Sequence, residues 1–186
     1  MIRTALLALA LCSCTAPRTP PAVVQAKANT VVLDERCSGV LLRGGRLLTA
    51  GHCVEPAEAR YEFLVTAVSQ TGSAFGALLD QHDEWRDLAL LRTRQPSEAG
   101  ADHVSYPTPG DVVFVVHHTC PGGWCVDWAR VVYTRNLVGY GALGWTAAHG
   151  ASGSGVWAAD GGLVGIVVAV GTGTGNTYYS PIGDLL

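Results

Sequence analysis

Charged residues are scarce in this sequence, and the basic ones form no cluster. Only 15% of the 186 residues are charged, Lys27 is the single lysine, and the formal net charge is −3. A protein that binds nucleic acid needs a basic surface, because Lys and Arg side chains must neutralise the phosphates. The composition therefore argues against DNA or RNA as a partner.

The sequence also lacks long apolar runs and helical periodicity. The N-terminal apolar run, residues 5–11, is much shorter than the ~20 residues that cross a bilayer as a helix. Outside the short segments 55–60 and 181–186, apolar residues do not recur at helical spacing. No repeat at a fixed period is present. The sequence therefore gives no indication of a helical bundle or a repeat array.

Apolar residues and glycine, in contrast, are abundant. Hydrophobic residues make up 48% of the chain, and 17 of its 23 glycines lie from Gly100 onward. The Gly44-Gly45 pair between two apolar runs predicts a hairpin turn. Short runs bounded by turn residues predict strands at 39–42, 46–50, 61–69, 87–92, 111–116, 129–134, 163–170 and 178–181. A polar stretch over 97–109 divides them into two groups, so we predict an all-β fold of two small antiparallel barrels.

The N-terminus has the features of an export signal. Arg3 precedes the apolar run, and Leu11-Cys12-Ser13-Cys14 resembles a bacterial lipobox, in which Cys14 fits the lipidated position better than Cys12. An ordinary signal peptide with two incidental cysteines is the alternative. The Pro-containing segment that follows has no apolar period and is typical of a tether. We therefore expect a lipoprotein-type signal peptide at 1–14, a linker at 15–29, and one folded domain at 30–186 that is exported to the periplasm or cell surface.

Four cysteines remain in the folded domain: Cys37, Cys53, Cys120 and Cys125. Export places them in an oxidising compartment, so we expect two disulfides. Their spacing alone leaves all three pairings open. A zinc site competes with this interpretation, but none of the cysteines forms a Cys-x-x-Cys pair, and we expect no metal.

Three segments carry residue types that together perform nucleophilic catalysis. LLTAGHC contains His52, WRDLALL contains Asp87, and HGASGSGVW contains Ser152. A serine hydroxyl is a weak nucleophile that needs a base within hydrogen-bond reach, and the base needs a carboxylate that fixes its tautomer. Glycines beside the serine allow the sharp backbone that aims N–H groups at a developing oxyanion.

These segments resemble the motifs of the trypsin-like, chymotrypsin-fold serine proteases. LLTAGHC is similar to the family's TAAHC motif, RDLALL to DIALL, and GASGSG to GDSGGP, in the family's order. The resemblance covers about 30–186 and implies two six-stranded antiparallel β-barrels in a compact version. It implies a triad of His52, Asp87 and Ser152, with an oxyanion hole formed by the N–H groups of Gly150 and Ser152. It also implies a Cys37–Cys53 disulfide; we expect Cys120–Cys125 to close the CPGGWC turn.

Rival residues remain for two of these roles. Ser154 is the rival nucleophile within GASGSG, and Asp80, Asp83 and Asp102 are the rival carboxylates. Ala151 stands where animal digestive enzymes have an aspartate that pairs with a newly cut N-terminus, so that activation switch is not expected. GASGSG is closer to the GNSGSP of bacterial glutamyl endopeptidases.

The resemblance also implies a substrate pocket. Thr146, six residues before Ser152, matches its floor, and Val167 and Gly171 match its wall. No charge faces the substrate there, which predicts a neutral side chain at P1, the residue before the cleaved bond, although His149 can partly supply a positive charge. We expect the remaining histidines, His82, His103, His117 and His118, to be solvated loop or strand-end residues.

We therefore expect an exported serine endopeptidase that acts on protein or peptide substrates without a cofactor. We also expect a monomer that contacts the membrane only through its lipid anchor. A non-catalytic, protease-fold binding module is the alternative, although the intact triad argues against it. An esterase with the same triad is a third hypothesis, weakened because the strand–GxSxG–helix context of the α/β-hydrolases is missing.

Overall fold

The computed structural model describes residues 18–54, 64–93, 100–121, 123–135 and 139–183. The proposed signal peptide lies outside these residues. An α-helix, α1 (Pro21–Asn29), precedes the strands, and a 3₁₀ helix, Gly51–Cys53, follows the third of them. The strands are β1 (Thr30–Leu33), β2 (Cys37–Leu42), β3 (Arg46–Ala50), β4 (Leu64–Ser69), β5 (Ala74–Asp83), β6 (Leu88–Thr93), β7 (Val112–Cys120), β8 (Gly123–Tyr133), β9 (Gly141–Leu143), β10 (Gly155–Ala158), β11 (Leu163–Val170) and β12 (Thr177–Pro181).

The first six strands close into an antiparallel barrel in the order β1-β2-β3-β6-β5-β4. The hairpin between β2 and β3 turns at Gly44 and Gly45, whose φ angles are 84° and 75°. Two successive positive φ angles match the right-handed twist of the flanking strands, and glycine adopts them without a Cβ penalty. The predicted hairpin turn is therefore confirmed.

The last six strands form a second closed barrel in the order β10-β11-β12-β9-β8-β7. The segment between the barrels is tied to both, since Ala101 bridges to Leu42 and Val104 bridges to Leu163. Two closed six-stranded antiparallel barrels confirm the predicted all-β, chymotrypsin-like fold.

The two barrels share a continuous apolar interface. Each barrel has its own interior cluster, and a third cluster joins Val40 and Leu48 of the first barrel to Phe114, Trp157 and Ile166 of the second. All five side chains are at most 1% exposed. Burial of a large apolar side chain contributes about 1.5–3 kcal/mol, so this interface holds the barrels in one arrangement. The loops at the junction of the barrels are thereby fixed relative to each other.

Part of the segment that the sequence predicts as a linker is instead the helix α1. It contacts β2 and β7 and inserts Val23 and Ala26, 3% and 0% exposed, into the interface cluster. The hydroxyl of Thr30 donates to the carbonyl oxygen of Ala26 at 2.8 Å and closes the helix end. The linker prediction is therefore wrong for 21–29. Too few apolar residues face the core in so short a helix to give a visible period.

Candidate active site

His52 is held at the end of a strand by a short helix and a disulfide. It lies in the 3₁₀ helix Gly51–Cys53 directly after β3, and the next residue, Cys53, is bonded to Cys37 with an S–S distance of 2.03 Å. Cys37 begins β2, the strand beside β3. The position of His52 is therefore fixed covalently to the first barrel.

Asp87 lies where β5 turns into β6, beside the end of β3. Ala50 of β3 pairs with Leu88 of β6, and the N–H of Gly51 donates to the carbonyl oxygen of Asp87 at 2.7 Å. Asp87 has a φ of 51°, in the left-handed region that few residues other than glycine adopt. Such strained backbone persists only where surrounding contacts hold it, and it concentrates at functional sites.

The carboxylate of Asp87 makes two hydrogen bonds to His52. Its Oδ2 accepts from Nδ1 of the ring at 2.6 Å, and its Oδ1 accepts from the backbone N–H at 2.7 Å. Because a carboxylate only accepts, the hydrogen is on Nδ1 and the lone pair is on Nε2. The hydrogen bond to Asp87 raises the pKa of His52 above its usual value, against partial burial, and the charge of Asp87 adds to the rise.

Ser152 lies in the turn before β10, and this turn is pressed against the first barrel. The N–H of Ser38 in β2 donates to the carbonyl oxygen of Ser152 at 2.7 Å. The next residue, Gly153, has a φ of 82°, and a Cβ built on it would lie 1.8 Å from the carbonyl oxygen of Ser38. Only glycine fits this approach. The sequence Ser152-Gly153 therefore brings the serine turn onto the strand that Cys37 joins to His52.

The N–H groups of this turn alternate between bonded and unbonded. Those of Ala151 and Gly153 donate to backbone carbonyl oxygens, at 3.1 and 2.8 Å. Within the described part of the chain, those of Gly150 and Ser152 donate to no acceptor. Unpaired N–H groups near one another form an anion-binding concavity. The turn therefore has two donors, on Gly150 and Ser152, available for a ligand.

The hydroxyl of the rival serine is buried. Ser154 is 0% exposed, and its Oγ has no hydrogen-bond partner among the described residues. Ser152, in contrast, is partly exposed. No hydrogen bond joins the Ser152 hydroxyl to His52 in the described residues. Catalytic hydrogen bonds are often long in unliganded enzymes and shorten when substrate binds.

The rival aspartates have other partners. Asp80 pairs with Arg92, and Asp102 pairs with Arg43. Asp83 accepts from the N–H of Arg86 at 3.0 Å. Among the candidate carboxylates, Asp87 is the one that contacts His52.

The residues expected at the substrate pocket surround the loop between β11 and β12. The hydroxyl of Thr146 donates to the carbonyl oxygen of Gly175 at 2.6 Å, and the N–H of Gly175 donates to the carbonyl oxygen of Gly171 at 3.0 Å. Val167 is 2% exposed and packs with Tyr179, whose pKa burial raises to about 12. His149 is exposed. The contacts of Thr146 and Val167 named here, within the described part of the chain, involve no charged side chain.

Several residues near the site were not predicted from the sequence. Ser38 contacts the Ser152 turn, and the hydroxyl of Thr49 donates to the carbonyl oxygen of Ser38 at 2.6 Å. The expectation of solvated histidines is wrong for two of them: His117 is 2% exposed, and His118 is half-buried against Ser38. His82 is a partly exposed residue at the end of β5, as expected, and its Nε2 donates to the carbonyl oxygen of Gly51 at 3.2 Å. Each lies outside a motif, so only the fold reveals its contacts.

Two groups of side chains in the described residues have the ligand types of a metal site. One combines His52 with Cys37 and Cys53, and the other combines His117 with Cys120 and Cys125. In each group both cysteines form a disulfide, so they offer no thiolate. No helix in the described ranges has the length and apolar character to cross a membrane.

Comparisons with known proteins agree with this architecture. The model of the trypsin-like peptidase domain family matches residues 37–166. The Rv3671c protease in its inactive form is 17% identical, with a TM-score of 0.71 over 89% of each chain. A serine endoprotease from Yersinia pestis is 24% identical, with a TM-score of 0.73 over 86% of this chain and 61% of that chain. At these identities the structures show the fold. A comparison with curated protein sequences finds no match.

Proposed function

Because this chain belongs to the trypsin-like peptidase family, we propose that it is a serine endopeptidase in which Ser152, His52 and Asp87 form the catalytic triad. The family assignment supports hydrolysis of peptide bonds in protein or peptide substrates. The roles of the individual residues rest on the geometry of the site.

The observation that carries the proposal is the pattern of donors in the serine turn. The N–H groups of Gly150 and Ser152 remain unpaired in the described residues, while that of Ala151 between them is bonded. An unpaired backbone donor at a partly buried site is costly unless a ligand or water accepts it. Two such donors beside a candidate nucleophile are what an oxyanion hole needs.

The first chemical step is acylation of Ser152. The Ser152 oxygen attacks the scissile carbonyl carbon while Nε2 of His52 accepts the hydroxyl proton. The carbonyl oxygen becomes an oxyanion that accepts hydrogen bonds from Gly150 and Ser152 N–H. His52 then gives its proton to the leaving amine, the C–N bond breaks, and an acyl-enzyme remains.

Deacylation reverses the roles with water as the nucleophile. His52 accepts a proton from water, the resulting hydroxide attacks the ester carbon, and the proton returns to the Ser152 oxygen as the acid leaves. Asp87 is not protonated in either step. It fixes the tautomer of His52 and stabilises the imidazolium through the two hydrogen bonds described above.

The pocket favours a neutral side chain at P1. Thr146, matched to the floor, offers a hydroxyl that is already bonded to Gly175, and Val167, matched to the wall, is an apolar residue that is 2% exposed. An arginine or lysine that entered would be buried without a counter-ion, which costs several kcal/mol. For a glutamate at P1, the candidate cationic partner is the exposed His149.

The proposal includes export of the enzyme. The signal-like N-terminus and the two disulfides fit an oxidising compartment, periplasmic or at the cell surface. Lipidation of Cys14 would tether the folded domain to a membrane.

The experiment is digestion of a denatured protein by the purified chain, with S152A as the matched control. We expect internal cuts, identified by mass spectrometry of the fragments, from the wild type and none from S152A. If neither protein cuts a panel of denatured substrates at pH 8, the endopeptidase is refuted and a binding module is favoured. If wild type and S152A cut equally, a contaminating protease is responsible and the proposal fails.

A further inference from the structure

The end of the β7–β8 hairpin carries a cluster of polar side chains that the triad does not use. Nε2 of His117 donates to Oδ2 of Asp127 at 2.8 Å, and Nδ1 of the same ring lies 2.8 Å from the hydroxyl oxygen of Thr119. The Cys120–Cys125 disulfide closes the hairpin beside them. The side chain of His117 is 3% exposed. A buried group of this kind is held in one geometry, because each polar atom would be costly to leave unpaired.

His118, the next residue, points across the junction of the barrels. Its Nδ1 lies 2.9 Å from the hydroxyl oxygen of Ser38 in the first barrel, and Trp124 contacts its ring edge-on with centroids 6.4 Å apart. Burial lowers the pKa of His118, and the charge of the neighbouring His117 lowers it further. The ring is therefore neutral at pH 7, and it connects the hairpin to the same strand that contacts Ser152.

Both His118 and Thr119 face Gly150. A Cβ built on Gly150 would lie 3.2 Å from Cγ2 of Thr119 and 3.8 Å from Nε2 of His118. Gly150 has a φ of 92°. Glycine adopts positive and negative φ angles at similar energy, so the residue itself does not fix this backbone conformation. The direction of its N–H is therefore set by what surrounds the loop, and the hairpin provides part of that wall.

We propose that His118 is a positioning residue that fixes the Gly150 peptide by holding the hairpin against Ser38 and the serine turn. This inference rests on the proposed function, since it concerns the oxyanion hole of the same site. Ser38 is the common anchor: its N–H holds Ser152, its carbonyl oxygen blocks any side chain on Gly153, and its hydroxyl holds His118. Loss of the imidazole removes the hydrogen bond and opens space beside Gly150.

A misplaced oxyanion donor weakens binding of the transition state more than binding of the substrate. H118A should therefore lower kcat about 10- to 100-fold, with KM for a short peptide changed less than about twofold. The affinity for a peptide aldehyde, which mimics the tetrahedral intermediate, should fall by the same factor as kcat/KM. The pH at which kcat/KM is half-maximal should stay at the wild-type value, because the His52–Asp87 pair is not touched.

Three further variants separate positioning from general destabilisation. H118N places an amide near Nδ1 and should recover most of the activity, whereas H118Q places it near Nε2 and should recover less. S38A removes the hydroxyl that His118 contacts and should resemble H118A. The double variant should lose little more than either single variant, because both remove one contact. H103A is the matched control, since exposed His103 pairs with Asp160 away from this loop and should keep wild-type kinetics.

Wild-type turnover tests the proposed function, and the variants test this inference. If the wild type is active and the kcat of H118A is within twofold of the wild-type value, His118 has no positioning role. A loss that appears in KM alone, or one that H118N does not reduce, would also overturn it. If H118A does not fold, S38A carries the test, and wild-type kcat in S38A refutes the inference. A wild type that never turns over refutes both proposals.

Discussion

The N–H of Ser38 donates to the carbonyl oxygen of Ser152 across the junction of the two barrels, at 2.7 Å. Ser38 follows Cys37, and Cys37 is bonded to Cys53, the residue after His52. The first two residues of β2 therefore hold both the candidate base and the candidate nucleophile in position.

The two serines of the GASGSG turn should respond very differently to substitution by alanine. Ser152→Ala should lower kcat by about 10⁵–10⁶, because it removes the proposed nucleophile and leaves only binding and the proposed oxyanion donors. Ser154→Ala is the matched control, two residues along the chain, and should keep most of the activity, since its hydroxyl is buried without a partner in the described residues. Steady-state kinetics of both purified variants measures this. The reverse pattern would assign the nucleophile to Ser154.

The rate of hydrolysis should rise with pH through a single ionisation. As the proposed base, His52 must be neutral to accept a proton, and its hydrogen bond to Asp87 stabilises the protonated form. The midpoint of kcat/KM should therefore lie above the unperturbed value of about 6.5. In D87N the imidazolium loses its charged partner, so both the midpoint and kcat should fall. A slow amide substrate reports the profile, and a rate independent of pH between 5 and 9 would contradict His52 as the base.

Loss of the Cys37–Cys53 disulfide should affect stability and activity together. Its loop of 16 residues contributes about 3 kcal/mol in the chain-entropy model, and the five-residue loop of Cys120–Cys125 about 2 kcal/mol. In the double variant C37S/C53S, the free energy of unfolding measured in urea should fall by about 3 kcal/mol. Its kcat should fall as well, since His52 adjoins Cys53. An unchanged kcat in a folded C37S/C53S protein would show that the disulfide does not position His52.

The P1 preference should be for small or apolar side chains. Matched peptides that differ only at P1 should be cleaved after Ala, Val or Leu at least 10-fold faster than after Arg or Lys, because burial of an unpaired cation costs several kcal/mol. Fastest cleavage after Arg or Lys would refute Thr146 as a neutral floor. Fastest cleavage after Glu that disappears in H149A would assign the charge recognition to His149.

The sequence predicts the strands with regular patterns well and the irregular ones poorly. The runs at 46–50 and 163–170 coincide with β3 and β11, because both are rich in apolar residues and each is followed by a glycine. β5 is missed, since Ala74–Asp83 carries polar residues on a partly exposed face and a register shift after Leu79. β9 has three residues and too short a pattern to detect.

Motifs locate chemistry along the chain, but they do not show which distant residues touch them. The motif glycines indicate the Ser152 turn, and the structure places that turn on Ser38. The contact of Ser38 with His118 joins residues 80 positions apart, without charge or motif to mark either. Contacts such as these depend on how the two barrels pack against each other. The residue pattern within one strand does not contain that information.

Reaction with a fluorophosphonate probe tests the central claim most directly. Such a probe phosphonylates a serine only where a base has activated it and an oxyanion hole stabilises the transition state. We predict one adduct per molecule, mapped by peptide mass spectrometry to Ser152, formed by wild type and by S154A but not by S152A or H52A. An adduct on Ser154 or on another residue, or no adduct with the folded wild-type protein, would contradict a triad built on Ser152.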